Sequence, residues 1–138
     1  MSLQLQIITP LKSILNEQVD EIVVPTESGE ITVLPSHVPL LTKIKPGEMI
    51  IKRNQKSSFF AITGGFLEVN DNNVTILADY AVRAEDIEVA KAKEAEERAK
   101  QTMKEKADKR EFAVAEADLR RAIVELQVAR RHKRSTPS

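Results

Sequence analysis

Glycine and proline divide this chain into two unequal kinds of sequence. All four glycines (Gly29, Gly47, Gly64, Gly65) and five of the six prolines precede Phe66, and none of either lies between Phe66 and Thr136. Turn-rich sequence therefore gives way to sequence that can run unbroken as helix. Charge changes along the same direction. Residues 1–84 carry seven Lys or Arg against nine Asp or Glu, and residues 85–138 carry fourteen against twelve. The shorter segment thus holds most of the charge, which predicts a boundary near Ala84 and two units, 1–84 and 85–138.

The first unit reads as short strands. Leu3 to Ile7 alternates apolar and polar residues, the period of a half-buried strand. Val19–Val24 and Ile31–Leu34 are β-branched runs on either side of Pro25 and the turn Glu27-Ser28-Gly29-Glu30. Met49–Arg53 follows Pro46-Gly47. Phe59–Thr63, Phe66–Val69 and Val74–Leu77 complete at least seven strands. The last two are joined by Asn70-Asp71-Asn72-Asn73, a strong turn cluster because Asn and Asp tolerate left-handed backbone. This density of strands and turns predicts a β-sandwich or barrel.

The second unit reads as helix. Phe112, Ala115, Leu119, Ala122, Leu126 and Ala129 are spaced 3, 4, 3, 4, 3, a one-sided apolar seam. A preceding helix from about Glu85 to Lys104 has a thinner seam of Ala92, Ala95 and Ala99, with Met103 near its end. Apolar burial contributes about 25 cal/mol per Å², so an alanine seam contributes far less than a leucine seam. Lys106-Ala107-Asp108-Lys109 is the expected turn. With no Gly or Pro there, a single continuous helix is the alternative. A hairpin so joined is expected to be marginally stable, and its docking changeable.

Composition excludes several chemistries. There is no cysteine, which removes disulfides, thiol catalysis and cysteine-based zinc sites. No window holds 18 consecutive apolar residues, and the first residues read as neither signal nor transit peptide, so membrane association is expected only through a partner. His37, in Leu34-Pro35-Ser36-His37-Val38-Pro39-Leu40, is one histidine without a second ligand nearby and is expected to brace its loop. Gly64-Gly65 matches no nucleotide-binding pattern and reads as a bend between strands. The run Arg130-Arg131-His132-Lys133-Arg134 lacks the aromatic platforms a single-strand nucleic-acid binder needs. It suits a helix C-terminus or an acidic protein partner. From Leu119 to Arg134 there are six Lys or Arg against one Glu, which would steer this end towards negative charge. No constellation supports an enzyme, no metal site is expected, and nucleic acid is not an expected partner.

At residues 29–41 the sequence becomes specific. Gly29-Glu30-Ile31-Thr32-Val33-Leu34-Pro35-Ser36-His37-Val38-Pro39-Leu40-Leu41 resembles the signature loop of the epsilon subunits of bacterial and chloroplast rotary (F-type) ATP synthases. Gly64-Gly65-Phe66-Leu67-Glu68-Val69 and Val74-Thr75-Ile76-Leu77-Ala78-Asp79 resemble the family's second motif and closing strand. The resemblance covers essentially the whole chain in order. It implies an N-terminal β-sandwich of about ten strands followed by a C-terminal antiparallel two-helix hairpin. It implies a non-catalytic central-stalk subunit, with the sandwich docked on the gamma subunit and the ring of c subunits. Glu30, Ile31, Ser36, His37 and Val38 would be the contact loop. The hairpin would be regulatory: folded on the sandwich it permits ATP hydrolysis, and extended into the catalytic alpha/beta head it blocks it. Arg120, Arg121, Arg130 and Arg131 would face the catalytic head. The implied location is peripheral, at the cytoplasmic face of a bacterial membrane or the stromal face of a thylakoid.

Some members of that family bind ATP on the folded hairpin. Their motif aligns here with Ile87-Glu88-Val89-Ala90-Lys91-Ala92, where Glu88 replaces Asp and Lys91 replaces Arg. Lysine does not substitute for a planar guanidinium fork. Arg98 and Arg121 add positive charge, but Glu125 stands where a cation would help. The expectation is a weakened ATP site at most, with Ile87, Glu88, Lys91, Arg98 and Arg121 as its contacts, and no other cofactor. Residues alone, without the resemblance, also fit a free-standing binding module with a β-sandwich face and a coiled-coil arm.

Overall fold

The computed structural model describes residues 1–105 and 108–132. Ten strands come first: β1 (Leu3–Ile8), β2 (Ser13–Val19), β3 (Glu21–Thr26), β4 (Gly29–Val33), β5 (Leu40–Ile44), β6 (Gly47–Arg53), β7 (Lys56–Ile62), β8 (Gly65–Asn70), β9 (Asn73–Ala78) and β10 (Ala81–Arg83). A single 3₁₀ turn, Ala84–Asp86, leads to α1 (Val89–Lys104) and α2 (Lys109–His132). The strand order is β10-β7-β6-β3-β5-β8-β9-β1-β2, with β4 beside β3. β1 and β9 pair in parallel. β3 and β5 meet through one pair, Thr26 and Ile44, where the ladder passes from one layer of the sandwich to the other.

The core lies between those layers. Leu3, Leu5 and Ile7 of β1, with Leu67 and Ile76 from β8 and β9, share one cluster with Ile22, Met49 and Phe60 from β3, β6 and β7. The alternation read in β1 is the buried face of that cluster. Asp71 and Asn72 both hold positive φ, 49° and 64°, which lets the two-residue turn match the twist of β8 and β9. Gly65 is obligatory for a different reason. A Cβ there would stand 2.0 Å from the Leu77 carbonyl oxygen.

Several boundaries differ from the sequence reading. Val19 ends β2, and Asp20 separates it from β3, so Val19–Val24 is two strands rather than one. Pro25 lies within β3, opposite Glu30, and its carbonyl accepts from the Lys45 N–H at 2.9 Å. β2, β5 and β10 fall outside the seven strands legible from the residues. The first helix begins at Val89, not Glu85, because residues 84–86 form the 3₁₀ turn.

The helices are two, not one continuous rod. Glu105 caps the end of α1 in extended conformation. Asp108 opens α2 by accepting the Glu111 N–H at 2.7 Å on its side chain, an N-cap. Lys106 and Ala107, expected in the turn, lie outside the described residues, as do Lys133 and Arg134. The α2 seam is displaced from the expected one. Ala115, Ala122, Leu126 and Ala129 are buried, but Phe112 is 40% exposed and Val124 and Val128 are buried in addition. Val124, Val128 and Ala129 pack on Ala61, Ala84 and Ile87. The reason lies in β7. Phe60 and Ile62 enter the sandwich core, so Phe59 and Ala61 point out of it and need a second apolar cover. The α2 helix is that cover, and its buried surface is wider than a seam facing α1 alone.

Candidate functional site

The signature loop connects β4 to β5 and is pinned at its base. The Ser36 N–H donates to Asn72 Oδ1 at 2.6 Å, with Ser36 at φ 67°. The His37 N–H donates to the Leu34 carbonyl at 3.1 Å, and the His37 ring Nδ1 donates to the Val38 carbonyl at 2.7 Å. His37 thus braces its own loop. Glu30 and Ser36 are exposed, and Ile31 is half-buried against the core. Val38 is 70% exposed, and Leu34 and Leu41 are exposed beside it. Leu34 and Val38 on the pinned loop and Leu41 in β5 thus leave three aliphatic side chains open to solvent.

A second apolar exposure lies on the outer face of the sheet. Phe66 and Leu77 are cross-strand partners on β8 and β9 and are 46% and 50% exposed. Leu77 also pairs with Ile8 of β1. Phe66 follows the Gly64-Gly65 bend, where Leu67 turns inward and Phe66 outward. The signal in the sequence is Phe66-Leu67, which puts apolar groups on both faces of one strand without marking which face stays uncovered.

The four arginines expected to act together are dispersed. Arg120 lies beside Lys43, Thr63, Gly64 and Asp79. The Arg121 guanidinium sits 4.9 Å from the Tyr80 ring centroid. Arg130 is exposed, and Arg131 reaches across to Glu48 on β6 at 3.0 Å.

The ATP candidates are partly gathered. Glu88, Lys91, Arg98 and Arg121 line one cleft of about 470 Å³ between the hairpin and the segment around Tyr80. Ile87 does not reach it, being 2% exposed in the apolar cluster under α2. The cleft carries Asp86, Glu88, Glu94 and Glu125 against Lys91, Arg98 and Arg121, four carboxylates against three cations. Lys91 is already paired with Glu88 at 3.0 Å. Tyr80 closes one wall by donating its hydroxyl to Glu125 at 2.8 Å. Burial, then the Glu125 hydrogen bond and charge, push the Tyr80 phenol up to about 12. Among the described residues, no group of three or more His, Asp or Glu is placed to hold a metal ion.

Comparison with known proteins agrees with this architecture. Residues 2–84 match the family model described as ATP synthase, Delta/Epsilon chain, beta-sandwich domain. Residues 85–130 match ATP synthase, Delta/Epsilon chain, long alpha-helix domain. The ATP synthase epsilon chain of Herpetosiphon aurantiacus is 45% identical over 94% of this chain and 96% of its own length. That of Nitratidesulfovibrio vulgaris is 44% identical over 92% of this chain and 95% of its own. Among solved structures, a chain of the Euglena gracilis mitochondrial ATP synthase (OSCP/F1/c-ring) superposes with TM-score 0.73 at 29% identity. The match covers 95% of this chain and 82% of that one. A chain of the Tetrahymena thermophila mitochondrial ATP synthase central stalk and c-ring shares the fold, with TM-score 0.58 at 16% identity. Two consecutive domain matches and relatives aligned over nearly their full length lead to one conclusion: the chain belongs to the delta/epsilon-chain family of ATP synthase subunits.

Proposed function

We propose that this chain is a non-catalytic rotor subunit of the central stalk. Its sandwich, 1–84, would anchor to the gamma subunit and the c-subunit ring, and so help couple ion flow to ATP synthesis. Its hairpin, 85–138, would restrain ATP hydrolysis by leaving the sandwich for the catalytic head. Such a subunit sits peripherally at the cytoplasmic face of a bacterial membrane and reaches the membrane through the complex.

The observation that carries the regulatory part is the thinness of the hairpin's packing. α1 buries only Ala92 and Ala99, and α2 meets the sandwich through Val124, Val128 and Ala129. Small side chains remove little apolar area from water, so the folded hairpin can be exchanged for another partner at modest cost. The anchoring part is supported by the exposed aliphatic loop at Leu34, Val38 and Leu41 and by the Phe66–Leu77 pair. The pair is fixed on two strands of the core, and the loop is pinned to Asn72 through the Ser36 N–H, as a permanent contact requires.

Truncation after Asp86 in the assembled enzyme tests the regulatory part. ATP hydrolysis should rise while the truncated chain still co-purifies with the gamma subunit. Unchanged hydrolysis in an enzyme that retains the sandwich removes the inhibitory role.

A further inference from the structure

The cationic end of α2 is not free in the folded molecule. Glu48 on β6 receives two donors from it: Arg131 Nη1 at 3.0 Å on Oε1, and the His132 Nε2–H on Oε2. The His132 ring lies flat on Phe59 of β7, with centroids 3.7 Å apart and planes 15° from parallel. Glu48 stands opposite Ala61 in the β6–β7 ladder, on the outward row that α2 covers. Its side chain is 12% exposed, and that of His132 18%. Arg83 and Glu85 line the same recess as His132. Between this point and the Tyr80–Glu125 contact, the hairpin meets the sandwich through Val124, Val128 and Ala129. Here it meets them through a nearly buried carboxylate with a donor on each oxygen and an aromatic stack.

We propose that Glu48 is a latch. It would be an internal acidic partner that holds Arg131 and His132 on the sandwich, and it would compete for them with an external acidic protein surface. The hairpin would then leave only when Arg131 and His132 exchange one carboxylate for others, so release and capture become one event. Charge-assisted hydrogen bonds exceed neutral ones in strength, and a carboxylate doubly engaged at low exposure cannot be replaced by water without loss. The latch rests on the reading of the hairpin as a movable unit, but its test needs no ATP synthase. Failure of the truncation experiment would leave the latch measurable, and failure of the latch would leave the truncation result standing.

Amide hydrogen exchange on the isolated full-length chain is the first measurement. In E48Q, amides of residues 124–132 should exchange about tenfold faster, with the strand amides of β1 and β9 unchanged. The exchanged pair E48R/R131E should recover part of that protection. Equal exchange in wild type and E48Q, or faster exchange throughout the sandwich, overturns the latch. Polyglutamate is the competitor to use. E48Q should bind it several-fold more tightly than wild type, and H132Q/R131Q should not. Equal binding by wild type and E48Q overturns the competition.

Discussion

Tyr80 and Glu125 join the two units at a point 45 residues apart in sequence, hydroxyl to carboxylate at 2.8 Å. Tyr80 follows the last long strand of the sandwich, and Glu125 lies in the C-terminal half of α2, with Arg121 of the same helix over the ring. Together with Glu48 and Arg131, this contact gives the small apolar interface two polar fixings at separate places.

The first prediction concerns that contact. Tyr80→Phe removes the donor and leaves Glu125 partly buried without it, so docking of the hairpin should weaken by about 1–2 kcal/mol. Hydrogen exchange in α2 should rise while the strands stay protected. The wild-type pair should also respond to alkali. The phenol is raised from 10.0 to about 12 in the folded chain. The protonated form is therefore favoured by folding, and this stabilisation is complete below pH 10. It is lost as pH rises from 10 towards 12, because the unfolded chain releases its proton first. Tyr80 is the only tyrosine and there is no tryptophan, so phenolate absorbance reports the group directly.

The second prediction separates two glycines. Gly65→Ala forces a Cβ to 2.0 Å from the Leu77 carbonyl at φ 138°, which only movement of β9 can relieve. Loss of about 3 kcal/mol or more is expected, or failure to fold. Gly29→Ala meets nothing within 4 Å and has only its φ of 110° to overcome. Its cost should be about 1–2 kcal/mol. Chemical denaturation of both variants checks the contrast.

The third prediction tests the start of α2. Asp108→Ala deletes the acceptor for the Glu111 N–H and should destabilise the hairpin by about 1 kcal/mol. Asp108→Asn keeps an acceptor and removes a negative charge. Asp108 hydrogen-bonds to the Glu111 carboxyl and, with its charge, pushes it above the usual range. The Asn variant should therefore match or slightly exceed wild type at neutral pH. Exchange of α2 amides is again the measurement.

What sequence alone revealed follows from how local each signal is. β1, the Asn70–Asn73 turn and the α2 helix were legible because alternation, turn chemistry and helical spacing are read within a few residues. β2 escaped because only Leu15 and Val19 of its seven residues are buried. β10 escaped because three residues carry no period. Phe112 fitted the heptad spacing yet is exposed, since α2 is also drawn to the outward row of β7. Glu48, Tyr80 and Phe59 acquire their roles only through partners 45 to 84 residues away. The signature loop is legible as a pattern of residues, while its tie to Asn72, 36 positions from Ser36, exists only in the fold.

The fourth prediction places the anchoring surface. Phe66→Asp and Leu77→Asp each put a charge on an exposed apolar pair without entering the core. Stability should change by about 0.5 kcal/mol or less. Co-purification with the gamma subunit should fall sharply, because an unpaired charge in an apolar contact is costly. Retained co-purification by both variants would move the contact to the Leu34, Val38 and Leu41 loop.

The last prediction concerns ATP. A polyanion entering the cleft beside Tyr80 meets four carboxylates and three cations, with Lys91 already held by Glu88 and Glu125 already engaged by Tyr80. Isothermal titration of the wild-type chain should show no binding at millimolar ATP. Glu125→Arg replaces one carboxylate by a guanidinium, leaving three against four, and frees Tyr80 from its acceptor. Adding Lys91→Arg replaces a point charge with a further planar fork beside Arg98 and Arg121. The double variant should bind ATP where the wild type does not, with affinity that falls as salt is raised. Tight binding by the wild type would show that the cleft rearranges to withdraw its carboxylates. Absence of binding by the double variant would show that its shape, rather than its charge, excludes the nucleotide.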